Sequence, residues 1–113
     1  MTDNLLWVLA VADVNGVPWQ NNIAEVTILG KTICMGKNAN GYFAFAAKCP
    51  HAGAPFKDGF VDALGNVVCP LHQYRFCMRT GRNVSGEGYI LKRWPVRLEG
   101  TVLYVGLSPL GLY

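Results

Sequence analysis

The chain has 113 residues and a mass of 12.4 kDa; 51% of its residues are hydrophobic and 15% are charged. A chain of this size buries about two-thirds of its unfolded surface, so we expect one globular domain over residues 1–113 rather than a disordered segment. The formal net charge is only +3, and the basic residues are dispersed instead of forming one stripe. This distribution argues against a nucleic-acid-binding protein.

The first candidate strand lies in an apolar run over residues 5–12. The run has no basic flank and no small-residue cleavage site, and Asp13 ends it, so it does not resemble a secretion signal. It is also far too short to span a bilayer. We therefore expect a cytoplasmic protein without a membrane anchor, in a compartment where thiols stay reduced. In that setting, four cysteines are favoured as metal ligands or core residues over disulfide partners.

Short β-rich segments follow along the chain, separated by glycine, proline and asparagine. Turn signals stand at Asn15-Gly16, Gly30-Lys31 and Asn40-Gly41. No window shows apolar residues at the i, i+3, i+4, i+7 spacing of an amphipathic helix. The strands predicted in this part of the chain cover residues 7–11, 24–29, 32–35, 42–46, 59–61 and 67–68.

The clearest alternation lies near the C-terminal end of the chain. Trp94, Val96 and Leu98 are expected to share one face, with the arginines between them on the other. A tight turn then leads into a strand over residues 102–107, while Pro95 places the preceding strand at a sheet edge or a bulge. Together these segments predict an all-β chain of antiparallel strands, arranged as a small sandwich or barrel.

Two short segments pair one cysteine with one histidine each. They are Cys49-Pro50-His51 and Cys69-Pro70-Leu71-His72, and 17 residues, 52–68, separate them. Finger-type zinc sites usually take two cysteines from one segment and two histidines from the other, and plant-type iron–sulfur sites use cysteines only. Mixed pairs instead suit a two-iron cluster to which each loop gives one ligand per iron. A zinc site on the same side chains stays open, as do a purely structural role and, less favoured, a Cys–His nucleophile.

In these two boxes, C-x-H and C-x-x-H, the sequence resembles the Rieske family ligand for ligand. Turn residues around the boxes match as well: Gly53, Asp58-Gly59 and Arg79-Thr80-Gly81. The resemblance extends from about residue 7 to residue 107, which is nearly the whole chain.

This resemblance implies one Rieske-type [2Fe–2S] cluster. Its inner iron would be held by Cys49 and Cys69, and its outer, solvent-facing iron by His51 and His72. The implied fold is a Rieske-like antiparallel β-sandwich or barrel that carries a small cluster-binding subdomain over about residues 47–82.

Imidazole ligation raises the potential of such clusters to roughly −150 to +300 mV, against about −400 mV for all-cysteine plant-type clusters. The resemblance implies that respiratory Rieske proteins also join their two boxes by a disulfide, at positions occupied here by Ala54 and Leu71. Those proteins further place hydroxyl groups near the cluster sulfurs, where this chain has Tyr74 and Phe76, and Phe76 has no hydroxyl. Because fewer hydrogen bonds to sulfur lower the potential, we expect a value near or below about −100 mV.

The two remaining cysteines, Cys34 and Cys77, are expected on strands as free thiols that pack in the core. Apolar residues beside the boxes are expected either to form a small docking patch for a redox partner or to shield the cluster from water. These residues are Pro50, Pro55, Phe56, Pro70 and Leu71.

The resemblance implies an electron carrier rather than a chain that catalyses a reaction on its own. One hypothesis is a stand-alone Rieske ferredoxin that takes electrons from an NAD(P)H-dependent flavoprotein reductase and passes them to a terminal oxygenase. The run F-C-M-R-T-G over residues 76–81 is similar to that of such ferredoxins.

A second hypothesis is the small subunit of an assimilatory NAD(P)H-dependent nitrite reductase, whose partner would be the large subunit. The two boxes and Arg75-Phe76 resemble that small subunit as closely as they resemble the ferredoxins. A third is a redox or iron sensor, or a Rieske domain detached from a larger oxygenase. Many small subunits of nitrite reductases have lost their cluster ligands, so the four ligand residues kept in this chain favour the ferredoxin.

Overall fold

The computed structural model describes residues 5–108, which form ten strands and two 3₁₀ helices but no α-helix. The 3₁₀ helices cover Val14–Gly16 and Phe56–Asp58. No helix in that span is long and apolar enough to cross a lipid bilayer. The strands are β1 (Leu6–Val11), β2 (Ile23–Ile28), β3 (Lys31–Asn38), β4 (Gly41–Ala46), β5 (Phe60–Val61), β6 (Asn66–Val68), β7 (Arg75–Cys77), β8 (Arg93–Trp94), β9 (Val96–Glu99) and β10 (Val102–Leu107).

All strand pairs are antiparallel, and they form three sheets with the orders β1-β10-β9, β2-β3-β4-β8 and β5-β6-β7. The first two sheets share one of two hydrophobic cores. The predicted class, an all-β chain of antiparallel sheets, is confirmed. The buried residues of this first core are Val11, Val14, Ile28, Ile33, Met35, Ala44, Trp94, Leu103, Val105 and Leu107.

The second sheet is the middle layer, and side chains alternate between its two faces with the period of two that strands impose. On β3, Ile33 joins the first core, whereas the next residue, Cys34, joins a second core shared with the β5-β6-β7 sheet. Phe56 lies within this second core, where its ring contacts Phe45 and Phe76 edge-on at centroid distances of 5.6 and 5.9 Å. The second core also contains both cysteines of the two boxes.

Pro95 marks the point where the chain passes from one sheet to another. It lies between β8, at the edge of the second sheet, and β9, at the edge of the first. The predicted edge position of the proline is therefore confirmed. Trp94 is buried, but Leu98 remains 49% exposed although it pairs with the buried Leu103. The reason is that β9 is an edge strand that, within residues 5–108, pairs only with β10.

Three local predictions differ from the structure. No range was predicted for strand β7, although Cys77 was expected on a strand, and Asn15-Gly16 belongs to a 3₁₀ helix rather than to a simple turn. The turn expected at Gly30-Lys31 lies one residue earlier, since Leu29 and Gly30 form a two-residue hairpin loop with φ of 48° and 78°. Two successive positive φ values are typical of the type I′ turn, whose twist matches that of the flanking strands.

Candidate metal centre

The first box lies on a loop that closes on itself. The Cys49 amide donates to the Ala54 carbonyl at 2.9 Å, and the Gly53 amide donates back to the Cys49 carbonyl at 2.8 Å. Gly53 has a φ of +75°, a conformation that glycine adopts without a steric penalty. This tight loop directs the Cys49 thiol inward, where Cys49 is 2% exposed, and leaves His51 half-buried.

The second box is the hairpin loop between β6 and β7. The Cys69 amide donates to the Tyr74 carbonyl at 2.8 Å, which closes the loop immediately beyond the Val68–Arg75 strand pair. His72 and Gln73 turn the chain with φ of 65° and 59°, in the left-handed region that side-chain-bearing residues seldom adopt. As a result Cys69 is fully buried while His72 is exposed.

The structure brings the four predicted ligand residues to one place. One ligand atom each of Cys49, His51 and Cys69 lies within 4.8 Å of the others, and the Cys49 sulfur is 4.0 Å from His51 Nδ1. His72 lies outside that group of three but adjoins it, with its Nδ1 at 3.3 Å from His51 Nε2. Two buried thiols thus lie beneath two outer imidazoles.

The electrostatics of this group fit a bound cationic centre. Burial raises the pKa of the Cys69 thiol to about 11; a backbone hydrogen bond from Leu71 acts in the opposite direction, and the neighbouring Cys49 raises the pKa further. Two adjacent thiolates would therefore be unstable here without a positive ion between them, because metal binding is what deprotonates such thiols. Sulfur on the inside and nitrogen on the outside is the donor set of a Rieske cluster.

Phe76 and Tyr74, which are expected to influence the reduction potential of the cluster, lie in different surroundings. Phe76 is fully buried in the second core, between β6 and Phe56, and brings no hydroxyl to the site. The Tyr74 ring lies against His51, with centroids 4.2 Å apart and planes inclined by 36°. Ala54 and Leu71, at the positions of the respiratory disulfide, cannot form that bond. All four cysteines are free. Cys34, on β3, is buried in the second core as predicted. Cys77, on β7, is only half-buried and belongs to neither core, so its predicted core packing was wrong.

The apolar surface predicted around the boxes is smaller than expected. Pro50, Pro70 and Leu71 are exposed beside the histidines, and Leu71 is 42% exposed. Phe56, however, has no exposed surface, so its predicted place in a docking patch was wrong. The reason is that the 3₁₀ helix beginning at Phe56 turns the aromatic ring into the second core.

A third loop, residues 83–90, also reaches the site and was not predicted. Tyr89 on this loop lies 5.8 Å from His51 and 5.9 Å from Tyr74, measured between ring centroids. The sequence carries a weak signal for it, since Gly86 and Gly88 alternate with polar residues after β7. Nothing in that signal indicates which way the loop folds.

Comparison with known proteins gives a consistent result. The family model described as Rieske [2Fe-2S] domain matches residues 6–89. The chain is 32% identical over 103 residues to the ferredoxin component of the naphthalene 1,2-dioxygenase system of Pseudomonas aeruginosa, which covers 90% of this chain and 96% of that protein.

Solved structures share the fold at lower identity. The ferredoxin of carbazole 1,9a-dioxygenase from Nocardioides aromaticivorans IC177 matches with a TM-score of 0.75 at 23% identity, over 90% of this chain and 97% of that one. A protein described as the NADH-dependent nitrite reductase small subunit of Mycobacterium tuberculosis matches with a TM-score of 0.78 at 18% identity, over 94% and 98%. At these identities the likeness establishes the fold alone.

Proposed function

The chain belongs to the Rieske [2Fe–2S] domain family, and from that premise we propose that it is the ferredoxin component of an oxygenase system. It would receive electrons from an NAD(P)H-dependent flavoprotein reductase and deliver them to a terminal oxygenase. The observation that carries this proposal is the 32% identity to a dioxygenase ferredoxin across 96% of that protein, together with the complete set of four ligand residues. The proposal places the protein in the cytoplasm, where its thiols stay reduced.

In this proposal Cys49 and Cys69 hold the inner iron, and His51 and His72 hold the outer iron. Residues 47–82 are proposed to form the cluster-binding part of a single domain that spans residues 1–113. The bound cluster supplies a reversible one-electron couple. The protein exchanges that electron without making or breaking a covalent bond of its own.

The residues around the site determine how closely water and partner proteins can approach the bound cluster. The two cysteines lie in a core with Phe45, Phe56 and Phe76, which keeps water away from the sulfur side of the site. The outer imidazole of His72 is exposed, so a docked protein can approach it closely. This asymmetry allows electron exchange at the exposed His72 while the cysteine sulfurs stay shielded from water.

We infer a potential at the low end of the Rieske range. The Leu71 backbone amide lowers the pKa of the Cys69 thiol and so favours its thiolate, but Phe76 offers no hydroxyl and Tyr74 stacks on His51. Since hydrogen bonds to sulfur stabilise the more negative reduced state, losing them favours the oxidised state. A midpoint near or below about −100 mV follows, which suits a carrier supplied by a nicotinamide-dependent reductase.

The docking surface in this proposal consists of Pro50, Pro70 and Leu71 around the exposed histidine. Weak redox encounters bury less than about 1,200 Å², so a small apolar tip is sufficient. Prolines also fix φ and limit loop reorganisation. A surface of this kind binds briefly and releases, as an electron carrier requires.

The alternative is the small subunit of a nitrite reductase, favoured by the fold likeness to such a subunit at a TM-score of 0.78. In that case the partner is the large subunit of the reductase rather than an oxygenase. We favour the ferredoxin because the relative with higher sequence identity is a ferredoxin component.

A reconstitution experiment distinguishes the two. NADH, a dioxygenase-type flavoprotein reductase and its terminal oxygenase are combined with this protein, and hydroxylated product is measured. We expect product only when this protein is present, and slower turnover for Leu71→Asp but not for Leu64→Asp. Leu64 is the matched control because it is 87% exposed and lies at the opposite end of strand β6. Stimulation of a nitrite reductase large subunit instead, with none of the oxygenase, would contradict the proposal.

A further inference from the structure

The third loop, residues 83–90, carries Tyr89 to the outer side of the metal centre. The Tyr89 ring lies 5.8 Å from His51 and 5.9 Å from Tyr74, and the Tyr74 ring lies 4.2 Å from His51. The His51 imidazole therefore contacts two tyrosine rings, one just after the second box in the β6–β7 loop and one from the third loop. Aromatic contacts of this kind favour particular relative orientations of the rings.

The loop that presents Tyr89 is fixed at its base by Asn83. This side chain is 9% exposed, and within residues 5–108 it is the one buried polar residue. Its amide nitrogen lies 3.1 Å from the Arg75 carbonyl and 2.9 Å from a Glu87 carboxylate oxygen, and its own oxygen accepts from the Glu87 amide. The Ser85 hydroxyl oxygen also accepts a hydrogen bond from the Arg75 amide at 2.9 Å.

These bonds attach the loop to strand β7, which directly follows the second box. The Val84 amide also donates to the Arg75 carbonyl at 2.9 Å. Gly86 and Gly88, with φ of 91° and 88°, provide the turns that bring residue 89 back over the site. Because these bonds converge on the buried Asn83, they hold the loop in one conformation. Tyr89 therefore has a defined position although the residue is 36% exposed.

We propose that Tyr89 is a positioning residue for His51, and that it makes the two outer ligands unequal. Tyr74 and Tyr89 together cover and orient the His51 imidazole, while His72 keeps an exposed edge. This inference rests on the proposed function, since it takes His51 as a ligand of the outer iron. It adds the third loop to the two boxes as part of the metal centre.

The test is pulsed EPR of the reduced protein, which resolves the nitrogen couplings of the two coordinated imidazoles. Four proteins are compared: wild type, Tyr89→Ala, Tyr89→Phe and the control Ile90→Ala. Ile90 is on the same loop and is 72% exposed. We expect Tyr89→Ala to shift and broaden one of the two couplings, and Tyr89→Phe and Ile90→Ala to preserve both.

A second readout applies if Tyr89→Ala holds too little cluster for EPR. The loss of iron to a chelator is followed over time, and we expect it to be several-fold faster in Tyr89→Ala than in Tyr89→Phe or Ile90→Ala. Unchanged couplings in Tyr89→Ala, or chelator rates equal to those of Ile90→Ala, would overturn the inference while leaving the proposed function intact. A wild-type signal without imidazole nitrogens would instead overturn the ligation on which the proposed function rests.

Discussion

Gln73 holds a left-handed backbone conformation beside the metal centre, and replacing it with glycine tests whether that loop is strained. Its φ is 59°, and it follows His72, whose φ is 65°. A residue with a side chain pays roughly 1–2 kcal/mol to occupy this region. The Gln73 side chain is exposed, so removing it should sacrifice little packing.

The magnitude follows from two opposing terms. Gln73→Gly relieves about 1–2 kcal/mol of steric strain and adds about 0.5–1 kcal/mol of backbone entropy cost. We therefore expect a net stabilisation of about 0.5–1 kcal/mol, which corresponds to about 2–4 °C in Tm for a domain of this size. The direction is opposite to that of most glycine substitutions.

The assay is thermal melting of the holoprotein, followed by visible circular dichroism at one fixed scan rate because cluster loss makes unfolding irreversible. Gln20→Gly is the matched control, because Gln20 is also exposed and is not among the residues with positive φ. We expect the control to lower Tm by about 2–4 °C. If Gln73→Gly lowers Tm as much as Gln20→Gly does, the second box is not strained and the reasoning fails.

Three further predictions concern the scaffold. Phe56→Ala removes a fully buried ring that contacts two other rings edge-on, and we expect it to lower the free energy of unfolding in urea by about 3–5 kcal/mol. Phe60→Ala is the control, at a 37% exposed position, and should cost far less. Equal losses in the two variants would contradict the packing described. Leu29→Asn places a residue that tolerates left-handed geometry in the β2–β3 turn, where φ is 48°, so we expect the free energy of unfolding to rise by about 0.5–1 kcal/mol. A decrease would show that the exposed leucine side chain contributes packing. Burial raises the pKa of the Cys34 thiol from its ordinary 9.0 to about 12, so the unfolded thiol ionises first. The neutral Cys34 thiol therefore contributes to the stability of the fold fully below pH 9, and this contribution is lost as the pH rises toward 12. At pH 10 the loss is on the order of 1 kcal/mol. We expect Cys34→Ala to remove this part of the pH dependence, and parallel pH profiles of the two proteins would refute the assignment.

Much of the fold could be predicted because its strands are marked by alternation and by turn residues. The β2–β3 and β9–β10 hairpins follow directly from such local signals, and Pro95 indicated an edge before the sheets were known. Strand β7 escaped prediction because its three residues follow two left-handed residues, His72 and Gln73, that no local pattern reveals. Its pairing with β6 depends on the closure of the second box.

The candidate site shows the same division. The types and spacing of the cysteines and histidines indicated the ligand set, since few sites need that mixture. The direction of the Phe56 ring and the contact of Tyr89 with His51 could not be predicted, because both depend on packing between distant segments. Asn83, the residue that fixes the third loop, looks like an ordinary turn asparagine in the sequence; its hydrogen bonds to Arg75 and Glu87 give it a structural role.

The most direct test of the account is the iron and acid-labile sulfide content of the purified protein, compared with that of Cys49→Ser and Cys77→Ser. We expect about two irons and two sulfides per chain in the wild type, neither in Cys49→Ser, and both in Cys77→Ser, whose thiol lies outside the site. A colourless wild-type protein that binds one zinc ion and no sulfide would contradict the assignment of a Rieske centre.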